Sequence, residues 1–163
     1  MGVGRVRVRG PFIGVIGDGT CSTDIGEIAA EVGREIARSG GVLVCGGLGG
    51  VMAAAARGAK EVGGHTLGIL PGPNIGDANP FIDFPVATNM GHARNAIIVC
   101  TSEVLVAIKG GFGTLSEISL ALKMGKDVVA IQPQFDIPGV HIAKSPLEAV
   151  KEALDLIGAK TVI

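Results

Sequence analysis

Tryptophan and tyrosine are absent from these 163 residues, and phenylalanine occurs only five times. Proteins that grip single-stranded nucleic acid stack bases on such aromatic platforms, so that mode of binding is set aside. An excess of charge of one sign is missing too: the formal net charge is −1. No global field draws the chain toward nucleic acid or an anionic membrane. Arg5, Arg7 and Arg9, alternating with Val6 and Val8, form the one basic stretch. It reads as an edge strand or tail with one polar side.

Cysteine is scarce. Cys21, Cys45 and Cys100 are an odd, widely spaced set without a C-x-x-C pair. That excludes a disulfide framework and a zinc site, and it fits a reducing cytosol. His65, His92 and His141 have no metal-ligand spacing, so no metal is expected. The charge-free stretch from Ser39 to Ala56 is interrupted by six glycines, which favours strand–turn–helix over a spanning helix. The Arg-rich start lacks the apolar core of a signal peptide. A cytoplasmic, soluble protein is the expectation.

What is abundant is glycine, 27 residues, within a composition that is 47% hydrophobic. Short Val/Ile/Leu runs separated by glycine turns and amphipathic segments describe a buried parallel sheet covered by helices. The length suits a single domain spanning residues 1–163.

Strands are predicted at Phe12–Gly17, Val42–Cys45, Thr66–Leu70, Phe84–Ala87, Val104–Ile108 and Val128–Ile131. Helices are predicted at Ser22–Ser39, Val51–Val62, Met90–Thr101, Thr114–Met124 and Pro146–Leu156, with Pro146 in the first turn of the last. Loops run from Pro71 to Pro80 and from Gln132 to Lys144; the first is either a lid over a site or a surface crossover. Alternation of strand and helix implies right-handed crossovers and a doubly wound, mostly parallel Rossmann-like α/β sheet with helices on both faces. The helices around Ala96–Cys100 and Leu115–Leu122 are apolar on most sides, more than one small sheet covers, so a homodimer is expected.

Three strands run directly into glycine-rich turns: Gly17-Asp18-Gly19-Thr20, Gly46-Gly47-Leu48-Gly49-Gly50 and Gly110-Gly111-Phe112-Gly113-Thr114. In a parallel sheet these turns converge on the carboxyl edge, where open α/β sheets bind ligands. Glycine lets backbone N–H groups approach an anion closely at a helix start. Gly17, Asp18, Gly19, Gly46, Gly47, Gly49, Gly110, Gly111, Gly113 and Thr114 are therefore the candidate ligand-binding residues, for a small phosphorylated ligand. Asp18 is a second carboxylate, a hydroxyl acceptor, or an ordinary turn residue.

Thr114-Leu115-Ser116-Glu117 also has the spacing of a capping box, with Thr114 at the N-cap and Glu117 three residues on. On spacing alone that structural role is favoured. Arg94 points the other way. Helical spacing places its guanidinium with Met90, Ile97, Ile98 and Thr101, a face that is otherwise apolar, where it needs a carboxylate or phosphate partner.

Gly110 to Glu117 resembles the P-G-G-x-G-T-x-x-E motif of the LOG family, which also carries the label "possible lysine decarboxylase" and whose activity is phosphoribohydrolysis of cytokinin riboside 5′-monophosphates. Gly46 to Met52 resembles that family's upstream glycine turn, and Met90 to Asn95 stands where it carries M-H-x-R-K. The resemblance implies a dimeric Rossmann-like fold, phosphate of a nucleoside 5′-monophosphate on Gly111, Gly113 and Thr114, and Arg94 with Glu117 acting at the ribose–base bond. Two positions depart from the family: its motif proline is Lys109, and its arginine motif gains a residue and ends in Asn95. M-G-x-A-R-N is closer to a branch of carriers of the molybdenum cofactor, a phosphate-bearing pterin, which makes molybdopterin the alternative ligand. No cofactor is required on either reading, and no lysine stands where a pyridoxal Schiff base would need one, so decarboxylation is rejected.

Overall fold

The computed structural model describes residues 10–160; the Arg5–Arg9 stretch lies outside them. Seven strands form one sheet: β1 (Phe12–Gly17), β2 (Val42–Cys45), β3 (His65–Leu70), β4 (Phe84–Ala87), β5 (Val104–Ile108), β6 (Val128–Ile131) and β7 (His141–Ala143). Their order is β4-β3-β2-β1-β5-β6-β7, and all six neighbouring pairs are parallel. The order reverses between β1 and β5, so the crevice where crossovers depart to opposite faces opens between the ends of those two strands.

Alternation along each strand divides the core in two. Ile13, Val15, Leu43, Val104, Val106, Ile108, Val129 and Ile131 face α1 (Thr23–Arg38), α2 (Val51–Glu61) and α5 (Pro146–Lys160). Ile16, Val44, Leu105, Ala107, Val128 and Ala130 face α3 (Asn95–Thr101) and α4 (Phe112–Lys123). The second face is covered only in part. Phe84 and Val86 of β4 are exposed, and Phe12, Val42, His65, Leu67 and Phe84 line an open apolar groove of about 340 Å³.

Close contact between α1 and α2 depends on two glycines. A Cβ built at Gly33 would lie 1.9 Å from the Ala55 carbonyl oxygen, and one at Gly58 would lie 1.8 Å from that of Ala30. Outside this seam, Arg34 bonds Glu27, Glu31 and Glu61, tying the exposed sides of the two helices together. Lys126 holds α3 from below by donating to the carbonyls of Val99, Cys100 and Ser102. Three last-turn carbonyls that the helix cannot satisfy are thereby satisfied.

Two elements differ from the sequence expectation, and a third is tied down. The segment Met90–Thr101 is not one helix: Gly91–Arg94 is a 3-10 turn and only Asn95–Thr101 is α-helical. Asn89 and Gly91 both have positive φ there, 52° and 55°, which breaks the helix at its start. The loop from Gln132 to Lys144 contains β7, too short at three residues to show alternation. The loop after β3 is strapped down, since Asn79 donates to the carbonyls of Gly47 and Leu48. No described helix is long and apolar enough to cross a membrane.

The glycine seam gives a paired expectation. Gly58→Ala should destabilise the protein by about 1–3 kcal/mol through overpacking. Gly158→Ala, on α5 where an added Cβ meets nothing within 4 Å, should raise stability by about 0.5–1 kcal/mol. Denaturant midpoints of the two variants check both signs.

Candidate functional site

Asp18, the residue after β1, joins all three glycine turns. Its backbone carbonyl accepts from Val51 N–H at 3.0 Å, the start of α2. Its side-chain Oδ1 accepts from Gly111 N–H at 2.8 Å, the start of α4. The first and second turns pack backbone to backbone: a Cβ on Gly50 would meet the Asp18 carbonyl oxygen at 2.3 Å, and one on Gly49 would meet Gly19 O at 3.1 Å. Gly17 adjoins α2 equally closely, with Val51 Cγ1 2.6 Å from a Cβ built there.

The predicted capping box is not formed. Helix α4 begins at Phe112 with Gly111 as its N-cap and no side-chain cap, and Thr114 is its third residue. Gly110, at φ 94°, turns the chain so that the N-cap falls three residues earlier than the Thr–Glu spacing suggests. Its missing side chain also admits Thr114, whose Oγ1 would lie 2.3 Å from a Cβ at that position. Asp18 accepts from the N–H of this N-cap residue, and no side chain caps the N–H groups of the first turn. The Thr114 hydroxyl is buried and has no hydrogen-bond partner.

Glu117, freed from capping, lines a cleft of about 180 Å³ with Asp18, Gly19, Gly46, Arg94, Gly113 and Thr114. It is 6% exposed and Arg94 is 9% exposed. The Arg94 Nη1 donates to Asn95 Oδ1 at 3.1 Å, while its Nε is buried without a partner. Gly46 makes room for the guanidinium, which would otherwise lie 2.4 Å from a Cβ. Among the described residues no ion pair or hydrogen bond links Arg94 to Glu117, although each feels the other's charge. Burial pushes the Glu117 carboxyl up to about 7, only partly opposed by Arg94. Burial also lowers the Arg94 guanidinium from its usual range, against the pull of Glu117 and Cys45. Cys45 beneath them is a buried thiol raised to about 11 by desolvation.

Of the residues singled out from sequence, Gly17, Asp18, Gly19, Gly46, Arg94, Gly113, Thr114 and Glu117 meet around this cleft. Gly110 lines a neighbouring cavity, and Gly111 is tied to Asp18. Gly47 and Gly49 shape the second turn without lining the cleft: Gly47 has φ 75° and its carbonyl accepts from Asn79. Sequence reasoning missed Met52, His92 and Asn95 as lining residues. Only Asn95 had a signal, as the residue standing in place of the family's lysine. Lys109 has φ 49°, a conformation proline cannot adopt, so the turn's backbone departs from the family motif along with the residue.

An open parallel sheet with a polar cleft at its switch point places the chain in the Rossmann-like class. It belongs to the SLOG cluster4 family, whose model matches residues 11–160. An uncharacterized protein of Archaeoglobus fulgidus is 50% identical over 138 residues, covering 85% of this chain and 91% of that one. The cytokinin riboside 5′-monophosphate phosphoribohydrolase of Mycobacterium tuberculosis is 35% identical over 125 residues, 71% of this chain and 66% of the enzyme. Among solved structures, the molybdenum cofactor binding protein of Rippkaea orientalis superposes with a TM-score of 0.86 at 37% identity, covering 92% of this chain and 99% of that protein. The LOG-type resemblance read from the glycine–Thr–Glu motif is thus borne out, as is the Rossmann-like fold.

The buried carboxyl makes stability depend on pH. Glu117 holds its proton more tightly folded than unfolded, so its contribution is fully present below about 4.5 and is lost as pH rises through about 7. The difference is on the order of 3 kcal/mol at pH 8. Thermal melts of the ligand-free protein should show Tm falling between pH 5 and pH 8 more steeply than in Glu117→Gln, which removes the titrating group. Parallel curves would contradict the assigned environment.

Proposed function

We propose that this chain binds a nucleoside 5′-monophosphate and hydrolyses its N-glycosidic bond, releasing free base and ribose 5-phosphate. The observation that carries the reading is the buried Arg94 Nε and Thr114 hydroxyl, both without a hydrogen-bond partner, beside buried Glu117 and the uncapped start of α4. Buried polar groups without partners oppose folding, and such groups in a cleft point to a ligand that completes them. The N–H groups at the start of α4 and the Thr114 hydroxyl suit a phosphate monoester. Arg94 then finds its missing acceptor on the phosphate or ribose.

Cleavage builds positive charge at C1′ of the ribose as the bond's electron pair leaves with the base nitrogen. A cation forming beside Glu117 favours its ionised form, so attraction grows toward the transition state more than in the ground state. The carboxylate also takes a proton from the water that attacks C1′, and that proton goes to the departing base nitrogen, so that free base leaves and Glu117 is ionised again. A carboxyl near neutrality in the free protein suits that exchange.

A second reading is supported by the Rippkaea orientalis likeness, which spans 99% of that protein. Here the same phosphate site would hold a phosphorylated pterin such as molybdopterin without breaking a bond. Both readings use a homodimer, in which a second copy covers the half-open sheet face around Leu67, Phe84 and Val86.

Chromatography for free base after incubation with nucleoside 5′-monophosphates decides between them. Base release should fall by about 100-fold or more in Glu117→Ala and in Arg94→Ala. No release from any nucleotide, with a melting shift only from a phosphorylated pterin, would replace the enzyme with the carrier.

A further inference from the structure

A second cavity of about 320 Å³ shares Asp18 with the first, a volume at the lower end of small-molecule sites. Its walls include the apolar side chains of Ile25, Val51 and Ile108, and Thr20 and Lys109 bring polar groups to it. Lys109 is held there in an unusual way. Its φ of 49° is a conformation that favours glycine, yet its backbone N–H is locked to the Ile131 carbonyl at 2.9 Å. The surrounding structure thus holds a strained backbone at the mouth of the cavity, as it also does at Asn89 and Gln132 elsewhere. Among the described residues no carboxylate forms an ion pair with its ammonium group.

The chemistry of the walls narrows the occupant. A free anion would meet the Asp18 carboxylate, and a free cation would meet Lys109. A flat heteroaromatic ring satisfies both, provided that its edge carries N–H donors and a carbonyl acceptor side by side, while its faces rest on the apolar walls. We infer that this cavity is the base subsite and selects the 2-amino-4-oxopyrimidine edge shared by guanine and pterin rings. The ring's adjacent N–H groups donate to Asp18, and its carbonyl oxygen accepts from Lys109. Oδ1 of Asp18 keeps a lone pair beside the one used by Gly111, so the carboxylate serves the turn and the ring together. Adenine has no carbonyl on that edge and leaves Lys109 without its acceptor. This inference rests on the proposed phosphate site in the adjoining cleft, and it applies whether the ligand is hydrolysed or carried.

Equilibrium binding of guanosine, inosine and adenosine 5′-monophosphates and of ribose 5-phosphate to the full chain tests it. The guanine nucleotide should bind about tenfold or more tightly than the adenine one, with inosine between because it lacks the 2-amino group. Asp18→Asn retains an oxygen for Gly111 N–H and should collapse that ratio toward one. Lys109→Met, at a site that needs no buried partner, provides a second variant and should weaken the guanine nucleotide more than the adenine one. Adenine bound as tightly as guanine in the unmodified chain, or a guanine preference intact in both variants, would overturn the inference. Ribose 5-phosphate separates the two levels. If it binds and no base preference exists, only the base subsite falls; if neither it nor any nucleotide binds, the proposed function falls with it.

Discussion

The Asp18–Gly111 hydrogen bond is the joint on which the site depends. It crosses the switch point of the sheet, from the turn after β1 to the turn after β5. Through its carbonyl the same residue holds the start of α2. Three turns that leave for different helices are thereby fixed relative to one another by one side chain and its own backbone. With glycine at its N-cap, helix α4 starts without a side-chain cap, and Thr114 and Glu117 line the cleft. A carboxylate 93 residues away in sequence binds the N–H of the N-cap residue.

Around that joint the fold supplies rigidity and the cleft spends some of it. The glycine seam between α1 and α2, and the strands buried on the α1–α2–α5 face, form a tightly packed half. The other half is thinner, with two shorter helices and an exposed β4 edge. Arg94 and Glu117 belong to this thinner half, where burial shifts both away from their charged forms. A packed hydrophobic pair at those positions would be more stable. The space that Gly46 leaves for the guanidinium, and the buried Nε and Thr114 hydroxyl without partners, are the features on which the proposed ligand site rests.

Much of the architecture was legible because the helices repeat on a 3.6-residue period, the strands are short apolar runs, and β1, β2 and β5 run into glycine turns. Six strands and the convergence of the three turns followed from those signals alone. The misses have local causes. Positive φ at Asn89 and Gly91 broke a helix that hydrophobic spacing continued through, and β7 was too short to alternate. Thr114 and Glu117 have the spacing of a cap, and their spacing does not reveal that the helix starts three residues earlier, at Gly111. Arg94 was legible because a guanidinium on an apolar face needs an explanation wherever it is found. The role of Asn95 as its acceptor, and of Gly46 as the space it fills, required coordinates.

Helix α4 begins without a side-chain cap, and on the proposed function its first turn receives a phosphate there. A crystal structure with ribose 5-phosphate tests this most directly. The account expects the phosphate on the backbone N–H groups of the first turn of α4 and on the Thr114 hydroxyl, with C1 of the ribose directed toward Glu117. Phosphate bound elsewhere, with Thr114 still unpartnered and Arg94 turned onto Glu117, would contradict it.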